Sequence, residues 1–366
     1  AKIPTEQRPK VLIGSFVRKP PTIVEKLLQT LAAQYAEATF DIHLILNYAP
    51  GEVQPSAEDF AAWRGRIKRF SYDVLDAPTG DYGEGPVTRN WSQGAFGRVA
   101  SMKDSLIAKA RTEGYDYLWL VDADVMCDPY TLQTLIDSEA QIVSAVYWTN
   151  WQLPREGDTT FVHAGPQVWQ RGSYGMDSVF MNEHEFREKL IDRARLPVGG
   201  LGACTLIRRD ALDKGVSFAH YRPLPLGPGG MAEGEDRHFC ARAKSLHLKM
   251  IADAWSDVYH AYHPSQYDTL DDHVKALNVP HKDQASLGDL VSLTVEQLEP
   301  VIDAQGRMHT IQKQFVRGRY GALPLLPQLE EAVGSLQRRE SKIVKIQFPV
   351  HYAVASLRGQ MRLIRL

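Results

Sequence analysis

Asp122 and Asp124 stand at i and i+2 directly after an apolar run, Tyr115 to Val121. If that run is a strand, its period of two sends both carboxylates to the same side. Carboxylates that close repel unless something positive lies between them. A hard divalent cation such as Mg²⁺ or Mn²⁺ relieves the repulsion, prefers oxygen ligands and keeps coordination positions for substrate phosphates. Asp-x-Asp by itself also occurs in caps and solvated turns; its place at the end of the strongest strand candidate in the chain favours the metal reading.

A second group, Gly234-Glu235-Asp236, opens a stretch of helical periodicity. Acids there can simply cap free N–H groups and complement the helix dipole. Behind the Gly- and Pro-rich loop Leu224 to Gly230, a carboxylate can also act as general base on an acceptor hydroxyl. A third candidate is His260, in Tyr259-His260-Ala261-Tyr262-His263-Pro264. An imidazole can complete the shell of a Mn²⁺-type ion; a structural or surface role is the plainer alternative, and His263 competes for the same place.

These residues need a scaffold that brings three distant segments together. KVLIGSFV, Lys10 to Val17, reads as a buried first strand, closed by Arg18-Lys19-Pro20-Pro21. A helix follows to about Tyr35, then a strand from Phe40 to Leu46, a helix from Ser56 with that serine as cap, and a strand from Phe70 to Leu75. After a loop from Ala77 to Val87 come a helix from about Phe96 to Thr112 and the strand that ends in Asp122. Asp128-Pro129 opens a further helix, followed by a strand from Gln141 to Tyr147. Strands alternating with helices predict a doubly wound, mostly parallel α/β sheet, and in such sheets ligands bind at the carboxyl edge of the strands. Trp148 to Ser173 has no clear period and reads as an irregular or hairpin insertion. The glycines at 199, 200 and 202 lack the GxxxxGK[ST] pattern of a phosphate loop.

Composition agrees with a soluble enzyme. The 366 residues are 44% hydrophobic and 23% charged, with a net charge of -2, which gives no global basic field for nucleic acid. Cys127, Cys204 and Cys240 form no CxxC pair or zinc spacing and read as buried thiols in a reduced compartment. No run approaches the roughly 18 to 20 apolar residues of a membrane span, and no signal-peptide pattern is visible at Ala1 to Lys10. The expectation is a cytoplasmic protein.

Between Pro9 and Pro264 the chain resembles the GT-A glycosyltransferases, especially the broad family-2-like group. The resemblance is carried by KVLIGSFVRKPP, RVASMKDSLIAKARTEGYDYLWLVDADV, VGGLGACTLIRRDAL and GEDRHFCARAKSLHLKMIADAWSDVYHAYH, in that order. It implies a GT-A catalytic domain over 9–264, Rossmann-like with a small antiparallel part, using a nucleoside-diphosphate-sugar as donor and Mn²⁺ or Mg²⁺ as cofactor. It further implies Asp124 as metal ligand, Asp122 on the ribose or the metal, and His260 completing the shell. Phe16, Val17 and Arg18 would lie near the base, with Arg98 or Lys103 facing the nucleotide or its phosphates unless they are solvated helix positions. Asp236, next to Glu235, would take the acceptor proton in an inverting displacement. The acceptor, a saccharide, peptide or small molecule, is not encoded in any of these motifs.

One departure concerns the second strand, which ends in Asn47-Tyr48-Ala49-Pro50 where many relatives carry an acid that helps read the base; Asp73 or Asp76 can substitute. Trp148, Trp151 and Trp169 can stack on a sugar or aglycone face or pack in the core. Residues 265–366 read as a mainly helical extension. Its tail places Arg338, Arg339, Lys342, Lys345, Arg358, Arg362 and Arg365 among apolar residues, suited to an anionic membrane surface, a second protomer or the catalytic domain itself. Competing readings are a nucleotidyltransferase, whose Gly-rich signature loop GSFVRKPP lacks, and a non-catalytic nucleotide-sugar- or carbohydrate-binding protein of the same fold.

Overall fold

A computed structural model describes residues 8–67, 69–77, 82–84, 89–91, 93–153, 161–169, 183–191, 194–222, 234–262, 266–277, 290–302, 308–318, 321–322, 343–347, 351–357 and 360–365. The chain divides into two compact units, Ala1–Val274 and Lys275–Leu366.

In the first unit, strand β1 (Lys10–Val17) is buried along almost its whole length, as the unbroken apolar run KVLIGSFV requires of a strand covered on both faces. Helix α1 (Pro21–Ala32) starts on Pro21, whose fixed φ suits a first helical turn, and turns Ile23, Val24, Leu27, Leu28 and Leu31 inward. Next come β2 (Thr39–Leu46), α2 (Ala57–Arg66) and β3 (Phe70–Val74). Ser56 caps α2 through a reciprocal capping box with Asp59. The loop expected from Ala77 to Val87 includes β4 (Tyr82–Glu84), which pairs antiparallel with β5 (Arg89–Trp91) just beyond it.

The long helix α3 (Gln93–Thr112) lies over β1, with Leu106 so close to Gly14 that a Cβ there would sit 2.8 Å from a leucine methyl. Strand β6 (Tyr117–Val121) ends at Asp122 and is followed by β7 (Val125–Cys127), α4 (Thr131–Ile136) and β8 (Ile142–Ala145). The Trp-rich insertion is a hairpin, β9 (Trp148–Leu153) with β10 (Phe161–Pro166), then β11 (Val168–Trp169). Helix α5 (Glu183–Ile191), β12 (Arg195–Pro197), β13 (Gly200–Leu201), β14 (Cys204–Arg208) and α6 (Arg209–Asp213) lead to α7 (Glu235–Ser245). Strands β15 (Met250–Asp253) and β16 (Val258–His260) and helix α8 (Leu270–Leu277) complete the series.

The central sheet has eight strands in the order β12, β15, β8, β14, β6, β1, β2, β3. All run the same way except β14 and the edge strand β12. The α/β expectation therefore holds: a mostly parallel sheet with small antiparallel sheets beside it. Leu12, Leu118 and Leu120 pack beneath Val99, Met102, Leu106 and Ile107 of α3 in the core. Every acid of interest lies at the carboxyl edge of this layer or in the β7–β16 ribbon attached to it.

The expectation of a mainly helical extension is corrected. Beyond α8, the described residues of the second unit are strands: β17 (Leu290–Ile302), β18 (Met308–Gly318) and β19 (Gly321–Ala322) in one antiparallel sheet, and β20 (Ile343–Gln347), β21 (His351–Leu357) and β22 (Gln360–Arg365) in another. In IVKIQ three of the five residues are β-branched, which suits a strand better than a helix. The basic residues 338, 339, 342 and 358 lie outside the described residues. Among the described residues, no helix is long and apolar enough to cross a membrane.

Asp128 does not cap a helix as expected, since α4 starts two residues later than a cap at that position would require. It joins two strands instead. Its carboxylate accepts the backbone N–H of Tyr130 at 2.7 Å and of Asp257 at 2.6 Å, linking the ends of β7 and β16. Burial, reinforced by the charge of Asp257 and opposed by these hydrogen bonds, pushes the Asp128 carboxyl up to about 6. A folded value above the unfolded one means stability that is present in full below about pH 4 and lost as pH rises through about 6. The unfolding free energy of the wild type relative to Asp128→Asn should therefore fall by on the order of 2 kcal/mol between about pH 4 and about pH 7. A difference that stays constant over that range would show that Asp128 is not held protonated.

Candidate active site

Strand β6 delivers Asp122 to the sheet edge, where its backbone N–H donates to Ala203 at 3.0 Å, next to β14. The chain then turns, Val125 N–H donating to the Asp122 carbonyl at 3.0 Å, and runs into β7. Strand β16 pairs antiparallel with β7 so that His260 lies opposite Val125, and the Ala261 N–H donates to the Asp124 carbonyl at 2.8 Å. This short ribbon is why residues 136 positions apart meet: His260 Nε2 lies 3.4 Å from Asp124 Oδ1.

The imidazole is held in place by Thr149, whose hydroxyl is 2.8 Å from Nδ1, and by the ring of Tyr147, edge-on at 5.0 Å. A hydroxyl can donate or accept. Thr149 therefore supports the tautomer that hydrogen-bonds Asp124 through Nε2–H, and equally the one that turns the Nε2 lone pair towards it. The second is the arrangement of a metal-ligating histidine with an oriented outer partner.

Lys19, at the end of the β1 segment, reaches the other Asp124 oxygen: Nζ lies 3.0 Å from Oδ2, with both side chains almost fully buried. Nζ also donates to the Tyr267 hydroxyl at 3.0 Å, and the Lys19 carbonyl accepts from the Tyr48 hydroxyl at 2.5 Å.

Helix α7 brings the second pair of acids, with Gly234 as a cap that makes no side-chain hydrogen bond. The expected apolar face is present: Phe239 and Ala243 are buried, and Leu246 packs against the core. Lys103 of α3 donates to Glu235 Oε1 at 3.0 Å and to Asp236 Oδ1 at 2.7 Å. Its ammonium also sits over the rings of Phe218 and Phe16, at 4.8 and 5.5 Å. Burial alone would lower the Lys103 pKa, yet the charges of Asp236, Glu235 and Asp122 outweigh it and raise the value. Burial lifts the Asp122 carboxyl well above its ordinary range; Lys103 counteracts this, and Asp236, Asp124 and Glu235 add to it. Glu235 is raised in the same way by burial, against the pull of Lys103.

Beside these acids opens a cleft lined by Phe16, Arg18, Asn47, Arg98, Asp122 and Asp124 among others. Arg18 is paired in fork geometry with Glu52, and burial, then the neighbouring Arg18 charge, lowers the Arg98 pKa. Two guanidinium groups and an aromatic ring opposite two carboxylates can take a phosphorylated ligand that carries a planar group.

The structure thus brings Phe16, Arg18, Arg98, Asp122 and Asp124 to one cleft and sets His260 behind Asp124. Val17 turns its side chain fully into the core, away from the cleft. Lys103 is engaged by the acids and is not part of the cleft lining. Asn47 lines the cleft, its Nδ2 donating to the carbonyls of Leu75 at 3.1 Å and Asp76 at 3.4 Å, while Asp73 pairs with His43 at 3.2 Å. Trp169 packs against Gly200 and lies under the guanidinium of Arg237, the neighbour of Asp236. His263, the loop 224–230 and the Trp151 side chain lie outside the described residues. Sequence reasoning missed Lys19, Tyr147 and Thr149. For Lys19 a signal existed, since it ends the same sheet edge as the acids and four carboxylates there demand cations.

No protein-family model and no curated protein matches this sequence. Among solved structures, the chain is similar to S. aureus TarS, with 11% identity and a TM-score of 0.39 over 78% of this chain and 42% of that one. The crystal structure of TarS 1-349 in complex with UDP-GlcNAc gives 12% and 0.39 over 77% and 70%. The mannosyltransferase PcManGT from Pyrobaculum calidifontis, in complex with GDP-Man and Mn²⁺, gives 12% and 0.37 over 78% and 68%. The chain spans less than half the length of full TarS. At such values the likeness assigns no residue a role.

Lys103 is the cation on which the α7 acids depend. Removing one member of a buried ion pair costs about 3–5 kcal/mol, so Lys103→Met should lose stability of that order in denaturant unfolding at neutral pH. Glu235→Gln in the same chain should restore part of it. A neutral Lys103→Met would show that the lysine is not their counter-ion.

Proposed function

We propose that the protein is a glycosyltransferase that moves a sugar from a nucleoside-diphosphate-sugar to an acceptor hydroxyl, with a divalent cation and with inversion at the anomeric carbon. The observation that carries this reading is the convergence, at the carboxyl edge of a mostly parallel sheet, of an arginine-bearing cleft, the Asp122–Asp124 pair and a second, separately held carboxylate, Asp236. The sequence resemblance to GT-A enzymes supports it.

The residues present fit a Mn²⁺ or Mg²⁺ ion. Cis ligands of such an ion lie about 3 Å apart, close to the 3.4 Å between Asp124 Oδ1 and His260 Nε2. Among the described residues no group of three or more His, Cys, Asp or Glu side chains is poised to hold a metal. Asp124 and His260 would hold it, with Asp122 on the ion or the ribose, and it would supply charge neutralisation for the diphosphate leaving group.

The protein's own groups do the rest. Arg18 and Arg98 receive phosphate charge in the cleft, Phe16 gives a flat apolar wall, and Asn47 stands where the base is read. Lys103 holds Asp236 Oδ1 at 2.7 Å, which leaves Oδ2 to accept the proton of the attacking hydroxyl. Glu235, more deeply buried, shares Lys103 and fixes the start of α7.

A general base contributes about 10²–10⁴ in rate. Asp236→Asn should therefore lower kcat for transfer at least a hundredfold with little change in donor KM, whereas an undiminished rate would remove the assigned base and with it the inverting assignment. The donor is found by screening nucleotide sugars for slow hydrolysis, which needs no acceptor. That hydrolysis should stop with chelator and return with Mn²⁺ or Mg²⁺; turnover indifferent to chelator would exclude the metal.

A further inference from the structure

Of the two buried lysines at the sheet edge, Lys103 is explained by the acids of α7, whereas Lys19 has no part in the proposed chemistry. It is nevertheless buried, and pairs with a single carboxylate. Its side chain is 4% exposed and that of Asp124 is 3% exposed, with 3.0 Å between Nζ and Oδ2. Three separate segments fix it. Pro20 and Pro21 follow it immediately and set the direction of α1, Tyr48 after β2 donates to its carbonyl, and Tyr267 accepts from its ammonium. With His260 at the other oxygen, both oxygens of Asp124 face a donor or a cation within the protein itself.

We propose that Lys19 is the resident counter-ion of Asp124 and sets the order of binding, so that a divalent cation engages Asp124 strongly only together with a nucleoside diphosphate. The inference rests on the metal site of the proposed function and goes beyond it by naming what limits that site in the nucleotide-free protein. A divalent ion at Oδ1 meets a carboxylate whose charge is already compensated, and it stands within a few ångströms of a buried ammonium. Even at the dielectric of bulk water, repulsion between a divalent ion and an ammonium about 5 Å away is worth at least roughly tenfold in affinity. The negative charge of a diphosphate in the cleft offsets Lys19 and adds oxygen ligands. Because coupling is reciprocal, the ion strengthens nucleotide binding by the same factor.

The test is titration of the full chain with Mn²⁺, reading free Mn²⁺ by electron paramagnetic resonance. It is run with and without UDP or GDP, and the Mn²⁺ bound by nucleotide alone is subtracted. Wild type should bind Mn²⁺ weakly alone and at least about tenfold more tightly with one of the nucleotides. Lys19→Met should bind Mn²⁺ about tenfold more tightly than wild type without nucleotide, a gain that loss of structure would not produce, and Asp124→Asn should abolish binding in every arm. Equal wild-type affinity with and without nucleotide, or no tightening in Lys19→Met, overturns the role of Lys19 while leaving the metal site standing. Absence of Mn²⁺ binding in all arms overturns both. Should Lys19→Met fail to fold, the wild-type arms decide alone.

Discussion

Four carboxylates, those of Asp122, Asp124, Glu235 and Asp236, are gathered at one edge of the sheet, three of them largely out of water. Unpaired, they would repel one another and each would bear the cost of losing hydration. Lys103 lies within 3.0 Å of Glu235 and Asp236, and Lys19 within 3.0 Å of Asp124. Both ammonium groups are themselves buried, which is tolerable only because the acids surround them. The acids and the lysines therefore form one electrostatic unit, and the elements that carry them, β1, α3, β6, β7 and α7, are fixed relative to each other by it. A site built this way resists collapse before any ligand arrives, yet it keeps excess negative charge facing the arginines of the cleft.

The backbone explains why this unit can form. Parallel strands β1 and β6 lie side by side and end at the same edge, so Lys19 and the Asp122–Asp124 turn emerge together. The reversed strand β14 runs beside β6 and supplies the carbonyl that anchors Asp122. Two further short strands, β7 and β16, carry the chain past that edge and return His260 to Asp124. The Asp128–Asp257 stitch closes the far end of the same ribbon, coupling its integrity to the protonation of a buried acid.

Much of this was legible in the sequence. The apolar runs of β1 and β6, the Ser56 cap and the helical face of Phe239 and Ala243 announce their elements by period and by chemistry local to each segment. The Asp122–Asp124 spacing gave both the strand end and the clustering of charge. What was not legible depended on tertiary partners. The resemblance implies Lys103 at the nucleotide or its phosphates, but its position relative to α7 is set by packing between segments 132 residues apart. Val17 ends β1 one residue too early in the pleat to face the ligand, and a one-residue difference reverses the side on which a strand residue points. The strands beyond residue 290 were missed because polar residues interrupt their alternation, and polar residues in short segments suit helices and strands alike.

The central claim is that the cleft beside Asp122 and Asp124 is the donor site and that Asp124 and His260 hold its metal. Diffraction from crystals grown with Mn²⁺ and a nucleoside diphosphate, with data collected at the manganese absorption edge, tests it most directly. The account predicts one anomalous peak bonded to Asp124 and His260, with the diphosphate between that ion and Arg18 and Arg98. A nucleotide bound elsewhere, or manganese located away from both side chains, would contradict it.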